Sequence, residues 1–399
     1  LTGERLAMVV SHPIQHYAPM YREIAAQGTI ALRVFFACRW GVDRYVDPEF
    51  GRSVQWDIPL TDGYDHEFLP IRRPPSRIGF WQIDNPETAN SLSRFNPDVV
   101  CIHGYAQRTL WRAIAWARRR KRSVLLYGDS TVSTRTGTLK RLAKRLVVTQ
   151  IYRKLDGAMA IGDRNRAYHR LYRVPEERIF PGVLPVDVKR LREAVPDRAA
   201  ARAEIRARYG IALDAFVVLF IGKYVPWKRP LDLVRAVSLL ASRGRDVVAL
   251  FAGDGPLRDE IAAAGATIGG GRVVLAGFLN QTEIPRLYAA ADVLAVPSQR
   301  DSHPLAVSEA AALGLPSVVS ERVGCIGESD VARPGETALV HACGDIEGLA
   351  AAIESLACDA NLRSRMGEAA RRVSDGQDIS VAARLFGDAV LKLKAMGVR

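Results

Sequence analysis

Apolar residues in this chain gather into short unbroken runs instead of alternating with polar ones. Such runs cover 6–11, 30–36, 99–103, 123–127 and 157–161, and again 216–221, 247–252, 273–276, 293–296 and 316–320. A run without alternation predicts a strand covered on both faces, as in a parallel sheet. Helical spacing fills the intervals, near 17–27, 109–120, 139–155, from 230, 257–264 and 283–290, and then over 346–358, 360–373 and 379–396. Strand and helix taking turns predicts α/β architecture with doubly wound parallel sheets. The stretch 36–77 is less regular. The segment 181–196, with Pro181, Pro185 and Pro196 and few large apolar residues, predicts a connection between two halves. A chain of 399 residues also exceeds one core. We therefore expect Rossmann-like domains over 1–185 and 186–378, facing each other across a cleft, with 379–399 a helix packing back on the first. A domain boundary is a common seat for small-molecule binding.

The stretch 291–324 organises the second half. Its apolar run 293–296 ends at Pro297 and Ser298. Asp301 and Ser302 predict an N-cap, and Pro304 suits the first helical position, where a missing N–H costs nothing. The helix is expected to reach Leu313, stopped by Gly314 and Pro316. Asp301 and Glu309 are separated by seven residues, one in the loop and one about two turns on. Open α/β sheets bind ligands at the carboxyl ends of their strands, so the chemistry is expected here.

Charge sharpens the picture. Residues 1–190 hold 31 Lys and Arg against 18 Asp and Glu, whereas 191–399 hold 25 of each. The N-terminal excess implies a polyanionic partner such as an anionic membrane surface or a phosphorylated acceptor. A helix with Lys140, Arg141, Lys144, Arg145, Arg153 and Lys154 around Leu142, Leu146, Val147 and Ile151 could rest on such a surface, or simply cover a core. Nucleic acid is disfavoured, since the basic clusters carry no recognised reading motif. The five cysteines are scattered without metal-ligand spacing, which predicts a reduced cytoplasmic protein, peripheral on the inner membrane face if the charge is used. No run matches a membrane span or signal peptide, and the start at Leu1 suggests a trimmed leader or tag.

Candidate chemistry sits after successive strands of the second half. Gly222 and Gly253 would let backbone approach a ligand, and Lys223 and Lys228 supply charges suited to phosphate. The helix start near Ser302, His303, Pro304 and Leu305 would favour a diphosphate. Glu309 could accept ribose hydroxyls and Asp301 sugar hydroxyls, by analogy with dinucleotide folds. Asp254 is open between ligand contact and a turn cap. In the first half, His12 and His16 follow the first strand, His103 ends the run 99–103, and Asp129 follows 123–127. His66, His169 and His341 are read as structural.

The segment 301–316, D-S-H-P-L-A-V-S-E-A-A-A-L-G-L-P, with Gly222-Lys223 and Lys228, Gly253-Asp254-Gly255-Pro256 and Ala276-Gly277-Phe278-Leu279, resembles the retaining glycosyltransferases of family 4, also called group 1, which have the GT-B fold. The likeness covers about 216–345; the N-terminal half is similar mainly in pattern. It implies a retaining, metal-independent hexosyltransferase with no cofactor beyond a nucleotide-diphosphate-sugar co-substrate, making surface polysaccharide or lipid-linked glycan. It further implies that Lys223 and Lys228 hold the diphosphate, Glu309 the ribose and Asp301 the donor sugar. His103 would help place the anomeric carbon, with His12, His16 and Asp129 on the acceptor side. The sequence departs from the family in Asp301 for Glu, Lys223 for Arg and Pro304 for Gly. Those exchanges keep a second reading open, a catalytically weakened nucleotide-sugar binding or scaffold protein.

Overall fold

The computed structural model describes residues 3–47, 49–73, 75–132, 138–268 and 272–398, apart from the side chains of 138–144 and 272. The chain sorts into two units, the first comprising 1–45, 59–185 and 379–399, the second 46–58 and 186–378.

The first unit is built on β1 (Glu4–Val10), α1 (Ala18–Gln27) and β2 (Ile30–Phe36). Two short strands, β3 (Tyr45–Asp47) and β4 (Arg52–Val54), follow as a hairpin. The unit continues with β5 (His66–Phe68), α2 (Thr88–Phe95), β6 (Val99–His103), α3 (Arg108–Arg119), β7 (Ser123–Tyr127), α4 (Thr138–Tyr152), β8 (Gly157–Ile161), α5 (Asp163–Leu171) and β9 (Ile179–Gly182). Its seven-stranded parallel sheet has the order β5-β2-β1-β6-β7-β8-β9. The strand order reverses between β1 and β6, a topological switch point.

The second unit holds α6 (Val188–Glu193), α7 (Arg198–Arg208), β10 (Phe216–Ile221), α8 (Pro230–Ser242), β11 (Val247–Ala252), α9 (Arg258–Ala266), β12 (Arg272–Gly277), α10 (Ile284–Ala290), β13 (Val293–Val296), α11 (Leu305–Ala312), β14 (Ser317–Ser320), β15 (Ala338–His341), α12 (Ile346–Cys358) and α13 (Ala360–Asp375). The six strands run parallel in the order β12-β11-β10-β13-β14-β15, with the switch point between β10 and β13. The unbroken apolar runs are explained by burial on both sides. Val217, Leu219, Leu250 and Leu294 join one core while Val218, Phe220, Phe251 and Val293 join the other. The last helix, α14 (Ile379–Met396), belongs to the first unit, where Phe386 meets the Tyr127 ring at 4.8 Å and Lys394 bonds Glu4 and Asp98. No described helix is long and apolar enough to cross a membrane.

Three expectations need correction. The Pro-rich segment 181–196 does hold the passage between the units, at 185/186, but it is not a bare connection: it contains part of β9 and all of α6, because Val186, Val188 and Leu191 pack on Ala312. On α4, Leu146 and Val147 are exposed while Val148, Ile151 and Tyr152 face inward, so the buried stripe is rotated from the expected one; the side chains of Lys140, Arg141, Leu142 and Lys144 lie outside the described residues. The hairpin region 46–58 lies with the second unit although it interrupts the first in sequence. This partition sharpens the charge asymmetry, with 32 Lys and Arg against 15 Asp and Glu in the first unit and 24 against 28 in the second.

Asp292 pins β10 beside β13. It accepts from the Val217 amide at 2.8 Å and from Arg202 and Arg206 at 2.9 Å each. Arg206 is fully buried and also donates to the carbonyls of Ala290, Ala212, Leu213 and Ala215. Arg206→Met takes the buried donor from those four carbonyls and one of two guanidinium partners from Asp292, so urea unfolding should show a loss of about 3–5 kcal/mol. In the first unit, buried His169 donates from Nε2 to the Met159 carbonyl at 3.1 Å and accepts the Tyr152 hydroxyl on Nδ1 at 2.9 Å. Burial pushes its pKa down to about 4. The unfolded imidazole gains its proton near pH 6.5 while the folded one resists it. Stability from this group is thus full above pH 6.5 and falls towards pH 4, by about 1.4 kcal/mol per pH unit. Urea titrations from pH 7 to pH 4.5 should show this slope, reduced in His169→Gln.

Candidate functional site

The site of the second unit is built from loops at the carboxyl ends of β10, β11, β12 and β13. These loops are tied backbone to backbone: Gly222 N to Ala252 O at 3.0 Å, Tyr224 N to Asp254 O at 2.8 Å and Gly253 N to Gly277 O at 2.8 Å. Gly253 has φ +139°, and a Cβ there would lie 1.9 Å from Gly222 O, so no other residue fits. Gly324 likewise lies against the Ser302 carbonyl.

Lys228 follows β10 and Asp301 follows β13, so each flanks the switch point. Their side chains meet, Nζ to Oδ2, at 2.7 Å. The Lys228 chain runs over Gly222, where glycine is favoured by the φ of +150°. Asp301 is not an N-cap, because its carboxylate is held by Lys228 and its carbonyl accepts from Gly324 N. Helix α11 begins one residue after Pro304, which is its cap residue with ψ 114°, not its first helical residue.

Glu309 is 6% exposed and accepts the Tyr288 hydroxyl on Oε2 at 2.7 Å. Burial pushes its carboxyl pKa up, while the Tyr288 bond and the Arg190 charge pull the other way. His303 is buried and driven down to about 4 by that burial, hence neutral at pH 7. Three buried polar atoms on these loops, His303 Nε2, Ser298 Oγ and the Tyr224 hydroxyl, have no hydrogen-bond partner among the described residues. Buried polar atoms are usually paired, so a ligand or solvent is expected to complete them.

The structure separates residues that the sequence grouped. Lys223 does not join Lys228: its ammonium bonds Asp47 at 3.1 Å and Glu49 at 2.6 Å, both in the hairpin region. Asp254 caps its own turn through Gly255 N and faces Arg52 and Arg258 at 3.5 and 3.7 Å. Leu305 packs with Leu313 on the Val186, Val188 and Leu191 cluster, so its side chain serves the core. Ser302 contributes mainly backbone to this arrangement. Asp47, Glu49 and Tyr288 were missed. The one signal for Asp47 and Glu49 is that they are acids within a basic half; nothing in sequence joins Tyr288 to Glu309.

A second group lies at the switch point of the first unit. His103 touches the Tyr17 and Tyr127 rings at 4.8 and 5.0 Å and lies 3.4 Å from the Tyr21 hydroxyl. Burial, aided by the His16 charge, lowers its pKa to about 3. The His16 ring lies tilted against Tyr17 at 4.1 Å, and Asp129, after burial, helps raise the Tyr17 phenol. His12 stands apart, bonded to Ser11 Oγ at 2.9 Å and edge-on to Trp40. His103 is therefore a neutral member of an aromatic cluster. Among the described residues, no group of three or more His, Cys, Asp or Glu could hold a metal ion.

Residues 201–373 match the family described as Glycosyl transferases group 1. An alpha-D-kanosaminyltransferase of Streptomyces kanamyceticus is 31% identical over 173 residues, 43% of this chain and 44% of that protein. A D-inositol 3-phosphate glycosyltransferase of Salinispora arenicola is 31% identical over 238 residues, 54% of this chain and 50% of that one. The chain thus spans about half the length of these curated relatives. The crystal structure of Anabaena HepE in complex with UDP superposes with TM-score 0.73 over 96% of this chain and 98% of that one, at 16% identity, a likeness of fold. Two parallel, doubly wound α/β sheets with these neighbours make the fold GT-B, and residues 201–373 carry the match to the group 1 glycosyl transferases.

Proposed function

We propose that this protein transfers a hexose, with retention at the anomeric carbon, from a nucleoside diphosphate sugar to a hydroxyl acceptor. The observation that carries this reading is the Lys228–Asp301 pair, which bridges β10 and β13 at the switch point, where open α/β sheets take their ligands. The match of residues 201–373 to group 1 supports the sugar-transfer chemistry. UDP bound by HepE, a neighbour in fold, supports the nucleotide class.

In this reading Lys228 turns from Asp301 to the diphosphate and stabilises the charge that gathers as the anomeric C–O bond breaks. Asp301, released, accepts hydroxyl hydrogens of the sugar. Glu309, with one oxygen fixed by Tyr288, offers the other to the ribose. The acceptor oxygen bonds the anomeric carbon on the face the diphosphate leaves, and its proton passes to the departing phosphate oxygen. Such a step draws on Lys228 for charge and requires no resident metal or cofactor.

We assign acceptor recognition to the first unit, through His16, Asp129 and the aromatic cluster around neutral His103. Its excess of 17 positive charges suits an anionic acceptor or the inner face of a membrane carrying a lipid-linked glycan, which accords with a cytoplasmic protein. Exposed Leu146 and Val147 on α4 fit the same surface. Capture of Lys223 by two carboxylates favours a second reading, a nucleotide-sugar binding protein without turnover.

The test is a thermal-shift panel of UDP, GDP and their sugars, followed by donor consumption with an acceptor extract. The matching nucleotide should raise Tm, since it binds only the folded chain. Lys228→Ala and Glu309→Ala should each lower turnover about a hundredfold or more. Near-normal transfer by both variants would reject these roles, and binding without transfer by the unmodified protein would favour the second reading.

A further inference from the structure

The region 46–58 leaves the first unit in sequence and lies on the second. It crosses the carboxyl ends of three strands there. At its start Asp47 accepts the amides of Glu49 and Phe50 on Oδ1, at 2.9 and 3.0 Å, which turns Oδ2 towards Lys223. Glu49 bonds the same ammonium, and the Phe50 ring lies 5.0 Å from it. In the middle, Arg52 stacks on Phe278 at 4.8 Å and faces Asp254. At the far end Asp57 accepts the amides of Gln281 and Thr282, and Asn280 donates to the Gln55 carbonyl at 2.8 Å.

Two carboxylates on one lysine place two negative charges beside a loop that the proposed function assigns to a diphosphate. Phosphate oxygens and carboxylate oxygens bind an ammonium in the same way, by charge-assisted hydrogen bonds. Only Asp47 is preorganised, its partner Glu49 being 45% exposed. The exposed Glu49 contact is worth little, so a pyrophosphate can displace it and then compete with Asp47 for the ammonium.

We propose that 46–58 is a displaceable cover whose Asp47 and Glu49 carboxylates occupy, on Lys223, the seat of the donor's pyrophosphate, so that these two residues set donor affinity. This inference rests on the nucleotide-binding reading above. It makes the open form a minority of the ligand-free protein, and apparent affinity is reduced by that fraction. Removing the carboxylate charge should restore it.

The experiment is calorimetric titration of the full chain with UDP and, separately, inorganic pyrophosphate. The variants are Asp47→Asn with Glu49→Gln, together, and Lys228→Ala. The asparagine side chain keeps an acceptor for the two turn amides, so the hairpin region should still form. The double variant should bind UDP about tenfold more tightly, as expected when a cover closed about nine-tenths of the time is released. Pyrophosphate should gain in parallel, because the competition is for the phosphate seat. Amide hydrogen exchange over 46–58 should quicken when UDP binds the unmodified chain. Unchanged or weaker UDP binding by the double variant, with Lys228→Ala still impaired, would overturn the cover while leaving the nucleotide reading intact. Failure of UDP and pyrophosphate to bind any form would remove that reading and the cover with it. Slower exchange over 46–58 on UDP binding would also overturn the cover, since a purely structural strap would be clamped by ligand.

Discussion

Where β10 and β11 end, main chain lies directly on main chain, and that close approach governs the second unit. A side chain at position 253 would run into the Gly222 carbonyl, and one at 324 into the Ser302 carbonyl. Glycine therefore lets the loops after β10, β11 and β13 share hydrogen bonds with their neighbours. Asp292, held by Arg202 and Arg206 below the opposite strand ends, keeps β10 and β13 adjacent. With both constraints in place, Lys228 and Asp301 meet although they lie 73 positions apart in sequence.

Charge at this rim is compensated internally. Lys228 rests on Asp301, Lys223 on Asp47 and Glu49, Asp254 faces Arg52 and Arg258, and Glu309 is held by Tyr288. An anionic ligand would therefore exchange partners with groups already paired. Such exchange costs less than filling a site whose charges were buried alone. Uncharged orphans, His303 Nε2, Ser298 Oγ and the Tyr224 hydroxyl, add demand for a polar visitor.

The two units differ electrically more than the halves of the sequence do. Moving 46–58 to the second unit and 379–399 to the first takes acids away from the basic side and adds Lys392 and Lys394 to it. Long-range fields act on net charge and fade over about 8 Å at physiological salt. An excess of this size in one unit would favour an anionic surface or acceptor there, whereas the mildly acidic unit could attract an anion only through individually placed cations.

The strand runs at 30–36, 99–103, 123–127, 216–221, 247–252 and 293–296 were legible from the chain alone, because burial on both faces erases polar positions. The glycine and lysine at the end of β10 and the acids around α11 were legible as candidates, since their types and spacing are local facts. Tertiary structure decided the partners. No local pattern joins Asp47 and Glu49 to Lys223, Tyr288 to Glu309 or Asp301 to Lys228, as each pair closes a long loop through packing elsewhere. The short strands β5, β9 and β15 escaped notice for a similar reason: strand identity there comes from the neighbouring strand's hydrogen bonds more than from side-chain pattern.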